Sequence, residues 1–180
     1  MQERLLLDSE LLEVTIIRLC KQLIENHEDI SETVILGMQP RGTLLADRIQ
    51  RGIKRELGVD LPIGYLDITF YRDDFRRRDE PIKASKTHVP FLLENKNVIL
   101  VDDVLYTGRT VRAALDAMIT FGRPDKVELL VLIDRRYSRH LPIEAKYVGR
   151  KVNTLASQKV KVELSDSGEN DRIVLINKEA

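Results

Sequence analysis

Four apolar residues, Val98, Ile99, Leu100 and Val101, run straight into a pair of carboxylates, Asp102 and Asp103. Val104, Leu105 and Tyr106 then lead into a Thr107-Gly108-Arg109-Thr110 turn. An uninterrupted apolar strand is one buried on both faces, as in a parallel sheet covered by helices. In open sheets of that kind ligands bind outside the carboxyl ends of the strands, and the two aspartates fall there. A helix starting near Thr110 turns unpaired backbone N–H groups and the positive end of its dipole to the same rim. Gly108 lets the main chain approach an anion, the hydroxyls of Thr107 and Thr110 add donors, and Arg109 adds positive charge. Carboxylates beside an anion cradle repel its ligand unless they hold sugar hydroxyls or a bridging cation. A ribose 5-phosphate meets both conditions. The bland alternative is a solvated acidic pair ahead of an ordinary helix. A nucleotide P-loop is excluded, because no GxxxxGK[ST] pattern occurs.

The flanking segments agree with such a sheet. Asp8 and Ser9 are N-cap residues for a helix running to about Asn26, with an apolar stripe at Leu12, Ile16, Leu19 and Leu23. Thr33–Met38 reads as a buried strand, and a helix follows Gly42 and ends at Gly58. Leu61–Tyr71 alternates like a strand and opens a long charged connection without a period. Asn97–Asp103 is a strand, Thr110–Phe121 a helix and Val127–Asp134 a strand. Beyond Asp134 come short β-like pieces at Ala145–Val148, Val160–Leu164 and Arg172–Ile176, the last two joined as a hairpin through Ser165–Gly168. The expected class is α/β, a single domain over residues 1–180 with a central parallel sheet flanked by helices.

Charge and composition narrow the function. Basic and acidic residues number 29 each, so no global field draws the chain to nucleic acid, and only local patches could. The lone Cys20 allows no intrachain disulfide, sits in an apolar run and reads as a core residue. The amino terminus is charged where a signal peptide needs an apolar stretch, and no apolar run approaches the roughly 20 residues of a membrane span. The chain is expected in the cytoplasm, away from membranes. His27, His88 and His140 share no ligand spacing and read as surface or loop residues, so no transition metal is expected.

The thirteen residues from Val98 to Thr110 resemble the phosphoribosyl-diphosphate motif of type I phosphoribosyltransferases. The likeness extends over nearly the whole chain, through ILGMQPRG at 35–42, LDITFYRDD at 66–74, GRPDKVELLVLIDR at 122–135 and LPIEAKYVGRKVNT at 141–154. DITFYRDD and LPIEAKYVGRK are similar to one branch, the pyrimidine operon attenuation regulators with uracil phosphoribosyltransferase activity. The resemblance implies a β-rich hood over the base, formed mainly by about residues 135–165. It implies that Asp102 and Asp103 hold the ribose and, through it, Mg²⁺, and that Leu105 to Thr110 hold the 5-phosphate. Pro40, Arg41 and Gly42 become the pyrophosphate loop, with Arg41 beside the aspartates in the catalytic set. Tyr71, Arg72 and Asp73 open a mobile loop that closes over the site, whereas Arg76-Arg77-Arg78 reads as a solvated run. Arg135 faces pyrophosphate or base, and backbone groups near Val160 read the uracil edge.

Two departures stand out. Pro40 occupies a position where the family commonly has threonine, which removes a hydroxyl and an N–H donor. The segment from Arg136 to His140 replaces a shorter Gly-His turn. The implied reaction joins uracil to phosphoribosyl diphosphate and yields UMP and diphosphate. A second function class is an RNA-binding regulator that recognises pyrimidine leader mRNA when UMP is bound, with Arg18, Lys21, Arg139 and Lys151 as candidate contacts on a homo-oligomer. Regulation with little catalysis, or another base, are the remaining alternatives.

Overall fold

The computed structural model describes residues 3–73 and 85–177. An edge strand β1 (Glu3–Leu7) precedes helix α1 (Ser9–Asn26), which begins where the Asp8 carboxylate accepts a hydrogen bond from Leu11 N at 2.9 Å. Strand β2 (Thr33–Met38) is buried at every position. Helix α2 (Gly42–Leu57) stops at Gly58, whose φ of 70° is the left-handed conformation glycine adopts without strain. After β3 (Ile63–Leu66) come β4 (Asn97–Leu105), α3 (Arg109–Met118), β5 (Lys126–Arg136), β6 (Tyr147–Asn153), β7 (Gln158–Glu163) and β8 (Arg172–Asn177).

Five strands form one sheet in the order β3-β2-β4-β5-β6, and every pairing is parallel. Side chains alternate across β4: Ile99 and Val101 pack with α1 and α2 residues such as Leu19, Leu45 and Ile49, while Val98 and Leu100 pack with Val111, Ala114 and Met118 of α3. The expected two-faced burial is therefore present. From β2 the chain goes to β3 on one side and to β4 on the other, and the direction of winding switches between β2 and β4. The loops that follow these two strands bound the crevice where ligands of such sheets bind.

Three expectations about elements need correction. The segment Leu61–Tyr71 is a strand only over Ile63–Leu66, after which Thr69–Tyr71 forms a 3-10 turn. The cause is Asp67, whose carboxylate accepts from both Thr69 N (2.9 Å) and Thr69 Oγ1 (2.6 Å) and bends the chain out of the ladder. Strand β6 runs over Tyr147–Asn153 rather than 145–148 and adds a fifth parallel strand to the main sheet. The second sheet has the order β1-β8-β7 and is antiparallel, so it draws on both ends of the described chain and reaches beyond 135–165. The 165–168 hairpin occurs as expected.

The small sheet is fixed to the main body by partly buried polar contacts. Arg48 of α2 pairs with Asp171 and also donates to Ser165 O, and Arg150 of β6 donates to Leu6 O at 2.6 Å. Cys20 is buried, and burial raises its thiol to about 11, in keeping with a core role. His27 is not a surface residue. Its side chain is 4% exposed, with Nδ1 2.8 Å from Leu23 O and Nε2 3.2 Å from Glu128 Oε2. Among the described residues no helix is long and apolar enough to cross a membrane.

The start of α2 rests directly on β4. A Cβ added at Gly42 would lie 2.3 Å from Val101 O, inside any real contact. Gly42→Ala must therefore push the helix start off the strand, at a cost of about 1–3 kcal/mol. Urea denaturation should show the loss as a lower midpoint.

Candidate functional site

A cleft of about 740 Å³ opens at the carboxyl ends of β2 and β4. Its lining brings together Pro40 and Arg41 after β2, Asp102 to Val104, Tyr106 and Thr110 around β4, Arg72, Arg135 and Val160. About half of the residues expected at the site line it. Val98 to Val101 of the motif do not touch the cleft; they are strand core, 0–1% exposed. Arg109 is exposed on the outer face of α3, where it pairs with Asp73.

Two helices begin at this rim without a side-chain cap. Gly108 is the N-cap of α3, at φ 89°, and Arg41 is the N-cap of α2. Helix α1, which starts outside the cleft, is capped by Asp8. The difference is chemical: apart from Arg109 N, which donates to Thr107 Oγ1 at 3.4 Å, first-turn N–H groups without a side-chain cap keep their donors for a ligand anion. Gly108 is required twice over, by its positive φ and because an added Cβ would meet Ile143 at 3.1 Å. The turn is propped from outside by His140 N and Leu141 N, which both donate to Thr107 O, at 3.0 and 3.2 Å.

Asp102 and Asp103 are 8% and 5% exposed at the floor. Asp102 Oδ1 accepts from Asp103 N at 3.0 Å, whereas Asp103 Oδ2 is buried with no hydrogen-bond partner among the described residues. Arg41 approaches that oxygen only to 3.9 Å, with its side chain 59% exposed. Burial, and then the neighbouring Asp103 charge, push the Asp102 carboxyl well above its ordinary range. Burial likewise raises Asp103, opposed by Arg41. An orphaned buried acceptor beside a second carboxylate suits a donor-rich ligand, either sugar hydroxyls or a hard cation. Among the described residues no group of three or more potential metal ligands occurs, so a divalent ion here needs substrate oxygens to complete its shell. The pair fits a cation that arrives with its substrate.

Arg135 lines the cleft, and its donors are engaged within the protein. It is 5% exposed, donates to Thr154 Oγ1 (3.0 Å), Leu155 O (3.3 Å) and Gln158 O (2.9 Å), and lies 3.9 Å over the Tyr106 ring. Its Nε and Nη2 donors hold the β6–β7 connection against the phosphate turn. The cleft also contains residues that motif reading passed over, namely Gln39, Asp67, Thr69, Ser85, Ala156, Gln158 and Lys159. Only the Asp-x-Thr turn at 67–69 had a local signal; the others depend on tertiary placement. Tyr71 is exposed next to the cleft, and Arg76–Arg78 lie outside the described residues.

The candidate RNA contacts divide into two kinds. Arg18 donates to Val148 O and Gly149 O, at 3.4 and 2.5 Å, and so pins β6 to α1. Arg139 pairs with Asp134 and donates to Tyr106 O. Lys21 and Lys151 are exposed.

Comparison with known proteins adds three findings. A phosphoribosyl transferase domain matches residues 4–167. The bifunctional protein pyrR of Enterococcus faecalis is 41% identical over 175 residues, covering 97% of each chain. The bifunctional protein PyrR of Caldicellulosiruptor bescii is 43% identical over 171 residues, covering 95% of this chain and 93% of that one. The hypoxanthine phosphoribosyltransferase of Trypanosoma cruzi superposes with a TM-score of 0.70 over 98% of this chain and 97% of its own, at 16% identity, a likeness of fold.

The raised carboxyls carry a sign. A folded-state value above the unfolded one means that ionised Asp102 opposes folding at pH 7, and protonation as pH falls relieves the opposition. Asp102→Asn should therefore raise Tm by about 2–4 °C, while ligand binding through the ribose falls by about 10- to 100-fold. Calorimetry and titration with ribose 5-phosphate on the same sample measure both.

Proposed function

The chain belongs to the phosphoribosyl transferase family and, within it, to the bifunctional PyrR proteins; on that premise we propose that it makes UMP and diphosphate from uracil and phosphoribosyl diphosphate, and also binds pyrimidine leader mRNA. The observation that carries the catalytic half is the buried Asp103 Oδ2 without a partner, set between two uncapped helix starts. Few ligands offer hydroxyl donors to the first and anionic groups to the second, and a phosphoribosyl group does.

In this reading the first turn of α3, with the hydroxyls of Thr107 and Thr110, holds the 5-phosphate. Asp102 and Asp103 accept from the ribose hydroxyls. Arg41 and the amides that open α2 face the diphosphate. Uracil lies in the slot bounded by Tyr106, Arg135 and the backbone from Ala156 to Val160, where main-chain groups pair with its edge. N1 of uracil bonds to C1′ as the bond from C1′ to the diphosphate oxygen breaks, and the N1 proton leaves with solvent. The protein contributes no nucleophile; it aligns the two substrates and stabilises charge on the leaving group. Asp102 and Asp103 are the residues that would hold Mg²⁺, which would supply neutralisation of leaving-group charge when bound.

The regulatory half rests on the exposed cations. Lys151 lines a groove beside Gln22 of α1, together with Glu144 and with Lys146, which pairs with Glu128, and Lys21 is exposed on that helix. Arg18 and Arg139 act in this reading by holding β6 and the 136–141 segment in place. Exposed Leu11 and Val14 on α1 fit a dimer or larger assembly of a cytoplasmic protein.

Radiolabelled uracil with phosphoribosyl diphosphate and Mg²⁺ should give UMP, and equimolar hypoxanthine, guanine and orotate should compete poorly. Labelling of another base in preference to uracil would reassign the substrate. In a gel shift with a pyrimidine leader transcript, UMP should tighten binding. Replacing Lys21 or Lys151 by Gln should lower the salt slope of log K by about 1 each. A slope unaltered in both variants would move the RNA elsewhere.

A further inference from the structure

The 3-10 turn Thr69–Tyr71 leads into Arg72 and Asp73, whose side chains go to different places. Arg72 has extended backbone, φ −75° and ψ 136°, and lines the cleft beside Arg41, Asp67 and Thr69. Successive side chains of an extended chain point to opposite sides. Asp73 is not part of the cleft lining. Its carboxylate is held outside by Arg109 Nη1, and Arg112 Nη2 lies 3.7 Å from the same oxygen. Arg109 and Arg112 are three residues apart on α3, so one helix face presents both guanidinium groups. The same helix opens with the uncapped turn that faces the cleft.

We infer that Asp73 is a positioning residue: clamped by Arg109 and Arg112, it fixes the next side chain, Arg72, inward, where its cation meets the diphosphate end of the substrate. The inference rests on the reading that the cleft takes phosphoribosyl diphosphate. It also reassigns Arg109. Its position in the phosphate turn invites a role as a direct ligand, yet its guanidinium points away from the cleft to the root of the long connection. Helix α3 thereby serves two ends of one substrate. Its first turn receives the 5-phosphate, and its outer face sets a cation for the diphosphate. A neutral residue at 109 would lose the charge-assisted contact that Arg109 makes through Nη1 to Asp73 Oδ2.

All three groups of the clamp are substantially exposed, with side chains 37–49% accessible. The expected effect is correspondingly modest and sensitive to salt. Asp73→Asn should raise KM for phosphoribosyl diphosphate about 2- to 5-fold at low ionic strength, leave KM for uracil unchanged, and lose most of its effect in high salt. Asp73→Glu should restore the wild-type value. In an Arg72→Ala background the Asp73→Asn change should add almost nothing, because the group it positions is gone. A general weakening of the fold would instead raise both KM values and add fully to Arg72→Ala. An unchanged KM in Asp73→Asn, or full additivity with Arg72→Ala, overturns the inference while wild-type turnover stands. Absence of any nucleotide product from the wild-type protein with all four bases overturns the catalytic reading and this inference together.

Discussion

Two carboxylates side by side at the buried end of β4 are the constraint on which the rest of the structure depends. Ionised together in a dry site they repel, and burial raises both. Such an arrangement persists only where the surrounding fold over-determines it. Here β4 lies in the middle of five parallel strands, with α1 and α2 on one face and α3 on the other, and its backbone is in contact with Gly42. Packing holds the carboxylates in place; among the described residues no internal cation neutralises them, since Arg41 stays 3.9 Å away and largely in solvent. The energetic tension is the functional point. An acceptor that the protein leaves unsatisfied can be satisfied by a ligand, and the ligand recovers free energy that folding left unrealised.

The sheet and the phosphate turn were legible because each is written in local sequence. A run of buried apolar residues, a Gly at positive φ and a helix start without a capping side chain are properties of adjacent residues. The strand ending at Leu66 was less legible. The pattern of apolar alternation continues through Phe70, and only the Asp67 side chain, bonding two residues ahead, takes the chain out of the sheet. β1 was not legible at all. Its ERLLL sequence has no period, and it becomes a strand because β8 offers it an antiparallel edge from the other end of the described chain. His27 was missed for a similar reason. Its neighbours in sequence are polar, and its burial comes from Glu128, a hundred residues away on β5. Local chemistry is visible in a sequence, whereas tertiary partners are not.

The arginines make the same distinction within the functional surface. A sequence shows that a residue is cationic, and its pattern shows whether an anion site is near. It does not show whether the charge is already spent. Arg135 is in the expected strand end, but three hydrogen bonds and the Tyr106 ring make it a strut between phosphate turn and hood. Arg18 is on the expected helix, but it closes carbonyls of β6. Arg139 is in the altered turn, but it joins Asp134 to the backbone of Tyr106. A guanidinium has several donors in a fixed plane and is weakly hydrated, so it is the cation best suited to internal cross-linking. A lysine ammonium is strongly hydrated and remains outside. The exposed Lys21 and Lys151 are therefore better placed than their arginine neighbours to meet a polyanion. In the longer 136–140 segment Arg139 serves the phosphate turn, while Lys21 and Lys151 stand elsewhere, on α1 and β6.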